Sequence, residues 1–151
     1  MLLRKILFLI VAIYFSPLLR GQQLFTKSQQ QVQQTVINFF EALSKRDSVS
    51  LKNYCTADIA LYENGSAWNI DTLILKVITL NTATDFRRTN SFDFVSTKVK
   101  KNTAWVTYNL HSEMTRNGKA ASVHWMETVI TVKEKKHWKI KLLHSTLIKR
   151  S

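Results

Sequence analysis

The feature that most constrains this chain is a change of hydrophobic period near its middle. In the first half, apolar side chains recur at helical spacing, with Val32, Val36, Phe39, Phe40 and Leu43 forming one stripe. From Asp85 onward they alternate, in four long runs at 92–99, 103–116, 119–133 and 138–148. Alternation over such lengths reads as half-buried strands, which must pair with one another to satisfy their backbones. Asn117-Gly118 joins the second run to the third. That dipeptide supplies the positive φ at both central positions of a type I′ hairpin turn. Helices first and a long meander afterwards predicts an α+β fold with helices on one face of an antiparallel sheet.

The helical half divides further. The stripe predicts a helix over about 28–46, and Asp47 or Ser48 can cap a second helix carrying Leu51 and Tyr54. A short strand at 57–63 is turned by Asn64-Gly65, and Asn69 can cap a third helix through Leu73, Ile74, Val77 and Ile78. Upstream, Arg4 and Lys5 precede an apolar run at 6–15, broken by Ser16-Pro17, with the small residue Gly21 before Gln22. This is the pattern of a signal peptide at 1–21, cut near Gly21. The run falls short of the roughly 20 apolar residues that span a bilayer. The expected organisation is a leader at 1–21, a flexible glutamine-rich lead at 22–30, and one domain at 31–151. The product would be exported, to a periplasm or outside the cell, with no membrane anchor after cleavage.

Three of the 22 basic residues leave with the leader, so the remainder carries 19 basic against 10 acidic residues, or +9. The lysines cluster at predicted turns (Lys98, Lys100, Lys101; Lys133, Lys135, Lys136) and alternate at Lys139 and Lys141. That distribution keeps strand edges soluble, and with no basic helix or RNP-like aromatic motif it argues against a nucleic-acid partner. Cys55 is the single cysteine, so no intramolecular disulfide forms and the fold must rest on its core. No nucleophile elbow, phosphate loop or metal-ligand motif is present, so neither cofactor nor metal is expected.

Register counting from the hairpins locates a candidate site. A two-residue loop at Asn117-Gly118 places Tyr108 opposite Glu127, Leu110 opposite Trp125 and Val106 opposite Val129. A loop at Lys135-Lys136 then places His144 opposite Glu127 and Leu142 opposite Val129, provided neither strand bulges. Tyr108, Glu127 and His144 would form a polar row on an apolar face. A Glu–His neighbour pair would share a charge-assisted hydrogen bond of about 1.5–3 kcal/mol, so that substitutions at the two would not add. His111 and His124 also face each other, on the opposite side beside Asn109 and Glu113, and read as a surface pair. That outer side presents Trp105, Met126, Ile130 and Leu143 among Thr107 and Thr128, a set of large apolar groups that predicts an interface.

The chain resembles the cone-shaped α+β superfamily named after nuclear transport factor 2, near its SnoaL-like branch. The resemblance rests on Phe39-Phe40-Glu41-Ala42-Leu43 with Asp47, on Tyr62-Glu63-Asn64-Gly65, and on Ala104-Trp105-Val106. It continues through Glu127-Thr128, Trp138-Lys139-Ile140 and His144-Ser145, a spacing similar also to the association domain of calmodulin-dependent kinase II. It implies N-terminal helices packed in the concave face of a strongly curved antiparallel sheet, an α+β cone. It also implies a pocket for a small, largely apolar molecule, and homodimers formed sheet to sheet, here with Trp105 and Ile130 near the centre. Superfamily members include isomerases, dehydratases, cyclases and non-catalytic binding domains, so fold alone does not choose among them.

Three readings of the polar row stay open. It can be a buried clasp that pins strand register. It can be the floor of a ligand pocket, with Tyr62, Trp68, Tyr108, Trp125, Glu127 and His144 as binding residues. Or it can be an acid–base centre in which Glu127 orients His144 and Tyr108 donates to a developing oxyanion.

Overall fold

The computed structural model describes residues 25–151, so the expected leader and its cut near Gly21 lie outside the described residues. Helix α1 spans Lys27–Ser44, and Thr26 caps it in a reciprocal box with Gln29. The lead expected to be flexible as far as residue 30 is therefore helical from Lys27. Two glutamines of this helix, Gln29 and Gln33, dock it on the sheet. Gln29 donates to the Thr97 carbonyl at 2.7 Å, and Gln33, one turn on, donates to the Thr97 hydroxyl at 2.9 Å. At the other end, Asn90 donates to the Ser44 hydroxyl at 2.8 Å, so both ends of α1 are fastened to one strand.

Asp47 caps the short helix α2, Ser48–Asn53, through the Val49 and Ser50 amides. Strand β1 (Cys55–Glu63) turns at Asn64-Gly65, both at positive φ, into β2 (Ser66–Trp68). Asn69 then caps one α-helical turn, α3 (Ile70–Leu73), which widens into a π-helical segment at Ile74–Thr79. Single stretches of π-helix often sit beside functional sites, because the wider turn displaces side chains from their regular positions. Four long strands follow: β3 (Arg87–Lys100), β4 (Thr103–Arg116), β5 (Lys119–Glu134) and β6 (His137–Arg150).

The strands form one sheet in the order β2-β1-β6-β5-β4-β3, curved around α1 as an α+β cone. The sheet is mixed rather than wholly antiparallel, because β1 runs parallel to β6. Only pairs joined by a tight hairpin are forced to be antiparallel, and β1 reaches β6 across the whole chain. Val32, Val36, Phe39, Val106, Leu110 and Ile140 are fully enclosed between α1 and the sheet. Each large apolar side chain removed from water there contributes about 1.5–3 kcal/mol. Among the described residues, no helix is long and apolar enough to cross a membrane.

The β4–β5 register is the expected one, with Arg116 on Lys119, Tyr108 on Glu127 and Val106 on Val129. The β5–β6 register begins as expected at a Lys135-Lys136 loop, both residues at positive φ, with Glu134 on His137 and Thr131 on Ile140. It then slips by one. Ile130 pairs with Leu142, leaving Lys141 as a bulge, and Glu127 pairs with Ser145. The bulged Lys141 forms an ion pair with Asp58 of β1, where the β1–β6 pairing is also irregular. Leu142 consequently turns outward beside Ile130, whereas Leu143, expected on the outer side, is buried.

Candidate functional site

Strand alternation places Trp125, Glu127 and Val129 of β5 on the inward face, and Glu127 is only 3% exposed. Two hydroxyls converge on its carboxyl group. The Tyr108 phenol donates to Oε2 at 2.6 Å from β4, and the Ser145 hydroxyl donates to Oε1 at 3.0 Å from β6. Burial disfavours the carboxylate and outweighs those two donors, so the Glu127 pKa is raised from 4.5 to about 7. Burial likewise pushes the Tyr108 phenol well above its ordinary value, with the Glu127 charge adding to the effect.

Glu127 forms the floor of a cavity of about 140 Å³ walled by Phe40, Leu61, Trp68, Leu73, Trp125 and Leu143. Two further charged groups face this space. Glu63 arrives from β1, where Ile59, Leu61 and Glu63 share the inward side, and burial raises its pKa against the pull of Ser145 and Arg88. Arg88 arrives from β3, paired with Met114 on the inward face. Its Nε donates to Asn90 at 2.9 Å and to Ser112 at 3.2 Å, and Nη2 donates to Ser112 at 3.1 Å. The guanidinium carbon lies 5.6 Å from the centre of the Phe40 ring and 5.5 Å from that of Trp125. Burial lowers the Arg88 pKa, and Glu127 and Glu63 oppose that fall.

The structure gathers Glu127, Trp125 and Trp68 around one cavity, with Tyr108 buried behind Glu127 and hydrogen-bonded to it, but it separates His144 and Tyr62 from the cavity. The bulge at Lys141 shifts His144 opposite Thr128, on the outer face, and gives its expected place to Ser145. Tyr62 lies between the inward Leu61 and Glu63 and so points outward as well, paired with His144 at a ring separation of 6.3 Å. Glu127 and His144 share no hydrogen bond, and the coupling expected between them belongs instead to Tyr108, Glu127 and Ser145. On the same outer face, His111 and His124 stack at 4.0 Å, with His124 against Asn109. Among the described residues, no three His, Cys, Asp or Glu side chains are grouped to hold a metal ion.

Sequence reasoning missed Glu63, Arg88 and Ser145. Two signals were present. Glu63 continues the alternation of Ile59 and Leu61, and Arg88 continues that of Asn90, Phe92 and Phe94. Cys55 is buried and its thiol is pushed up to about 11, which leaves it unreactive near neutral pH.

A carboxyl titrating near pH 7, held by two donors at the end of an apolar cavity, can bind a hydroxyl or carbonyl group or exchange a proton with it. The sequence pattern of the SnoaL-like domain family matches residues 32–148. Comparison with curated protein sequences finds no match. Among solved structures, a ketosteroid isomerase-like protein from Erwinia carotovora atroseptica aligns with a TM-score of 0.68 at 14% identity, covering 83% of this chain and 99% of that one. A nuclear transport factor 2-like superfamily protein from Salmonella enterica serovar Typhimurium aligns at 0.69 and 15% identity, covering 80% and 91%. The CamKII hub homology domain of Chlamydomonas reinhardtii aligns at 0.68 and 18% identity, covering 81% and 99%. At these identities the structures establish a shared fold.

Proposed function

We propose that this chain, which belongs to the SnoaL-like domain family, binds a small, largely apolar ligand in its cone cavity and anchors it on Glu127. The observation that carries this reading is a buried carboxyl, fixed by Tyr108 and Ser145, at the floor of a cavity walled mostly by apolar side chains. An apolar cavity of about 150 Å³ in another protein accepts benzene, so the 140 Å³ here has room for one aromatic ring. Titration with 4-phenylbutan-1-ol should show saturable heat. Val77→Trp, which fills the cavity's edge, should abolish it. No saturable binding of this alcohol or of the matching acid, 4-phenylbutyrate, would refute the reading.

A second reading is acid–base turnover of the bound molecule, favoured by the pKa of about 7 at Glu127. Glu127 would move the proton and Tyr108 would hold it in place, with no part for His144. This reading requires Glu127 to change charge near neutral pH; a carboxyl found to titrate at its ordinary value would remove its basis.

Two accompanying proposals concern assembly and location. Trp105, Met126 and Ile130 are each more than a third exposed on the outer face, with Leu142 beside Ile130. Apolar groups of that size on one face support a homodimer formed sheet to sheet. Light scattering at micromolar concentration should give twice the chain mass, and Ile130→Glu should give the chain mass. Export through a cleaved leader rests on residues 1–21 alone. N-terminal sequencing of the exported product should begin near Gln22, and retention of Met1 on a membrane-bound product would overturn it.

A further inference from the structure

The inward face of the sheet continues past the Glu127 cavity into a second chamber of about 400 Å³. Five basic side chains line it: Lys76 from the π-helical segment, Arg88 from β3, Arg116 and Lys119 flanking the β4–β5 turn, and Arg150 of β6. No acidic residue does. Register explains their convergence. Arg116 and Lys119 are direct partners, and a second bulge in β6, at Ile148, brings Arg150 opposite the inward Val123. Among the described residues, none of the five forms an ion pair with a carboxylate.

Arg88 is half-buried and the other four are exposed at the rim, so their mutual repulsion is partly screened by solvent, and an anion entering the hollow relieves what remains. Arg88 and Val77 line both chambers, so the two meet at the guanidinium. The hydrogen bonds of Arg88 go only to the neutral acceptors Asn90 and Ser112, through Nε and Nη2, and Nη1 has no hydrogen-bond partner among the described residues. The smaller chamber alone is below the roughly 300–1,000 Å³ of typical small-molecule sites, whereas the two together fall within that range.

We propose that the basic chamber is an anion subsite, so that the ligand of this cone is an amphiphilic organic acid: a compact apolar body beside Trp125 and Glu127, and a carboxylate, phosphate or sulfonate among Arg88, Arg116 and Arg150. This rests on the cavity being a ligand site. The basic rim also attracts such a ligand from solution, which makes association dependent on ionic strength.

Matched probes test the subsite apart from the cavity. Calorimetric titration of the purified protein should show 4-phenylbutyrate binding about ten- to a hundredfold more tightly than 4-phenylbutan-1-ol, the range expected for charge-assisted hydrogen bonds. Raising salt from 0.05 to 0.5 M should weaken the acid and leave the alcohol unchanged. Arg116→Gln combined with Arg150→Gln should remove most of the acid's advantage over the alcohol, with circular dichroism confirming an unaltered fold, and an undiminished advantage would overturn the subsite. Equal affinities for acid and alcohol in the unmodified protein would overturn the anion subsite while leaving the cavity reading intact. Inorganic phosphate binding that depends on Arg116 and Arg150, with neither phenyl compound bound, would support the subsite and overturn the cavity reading. No binding by acid, alcohol or phosphate would overturn both.

Discussion

Between pH 4.5 and about 7, this protein should lose roughly 3 kcal/mol of stability, and Glu127→Gln should remove most of that loss. Glu127 has a folded-state pKa near 7 against an ordinary 4.5, raised chiefly by burial. The folded protein therefore holds a proton that the unfolded chain releases in this window. The carboxyl is neutral in both states below pH 4.5, and stability falls as pH rises until the folded pKa is passed. Glu63, also raised by burial, acts in the same direction. The lowered carboxylates Asp47, Asp58 and Asp85 act oppositely, and only as pH falls below the usual aspartate value of 3.8. Glutamine keeps the shape of the protonated side chain without its titration, and the Tyr108 and Ser145 hydroxyls can rotate to suit it. Urea denaturation across pH 4.5–8 should give a falling curve for the unmodified protein and a flatter one for the variant, which should be the more stable above pH 7.5. Parallel curves would mean that Glu127 titrates at its ordinary value, and acid–base turnover at this carboxyl would lose its basis.

The largest loss should come from Phe40→Ala, about 3–5 kcal/mol by chemical denaturation at constant m-value. Phe40 is 4% exposed and stands where the core meets the cavity. Its ring lies edge-on to Phe39 at 5.5 Å, Phe92 at 5.8 Å and Tyr108 at 6.3 Å. It also covers one side of the Arg88 guanidinium. Truncation combines a void with a buried cation that has lost one of its two aromatic neighbours, whereas Phe40→Leu preserves most of the volume and should cost much less. A loss under about 1 kcal/mol for the alanine variant would show that the neighbouring rings collapse into the space.

The fold was legible because long alternating runs and Asn117-Gly118 leave little freedom: Tyr108 must face Glu127 once that turn is known. The helix stripe and the Asp47 and Asn69 caps were equally direct. The candidate site was half legible. Tyr108, Trp125 and Glu127 lie on β4 and β5, whose mutual register has no interruption. His144 and Leu143 were assigned to the wrong faces because a bulge has no local signature; Lys141 leaves the ladder where Asp58, 83 residues earlier, pairs with it. Arg88 and Glu63 escaped for another reason. A charged residue at a strand end usually belongs to solvent, and only the folded cone shows these two turned toward one cavity. The parallel pairing of β1 with β6 depends likewise on contacts between distant parts of the chain, which periodicity does not encode.

The bulge at Lys141 gives strand β6 something like a reading frame. Every residue between it and Ile148 is assigned to one face or the other by a single inserted position. Drawing Lys141 back into the ladder, with no change of length, would set Leu142 opposite Val129 and His144 opposite Glu127, withdrawing the Ser145 hydroxyl and delivering the imidazole in its place. A carboxyl held by two hydroxyls and a Glu–His dyad are thus one register step apart on the same pair of strands, with no substitution needed at any residue of the site. A lineage could pass from holding a ligand to transforming it by flattening one bulge, on a strand in the middle of its sheet and outside the cavity.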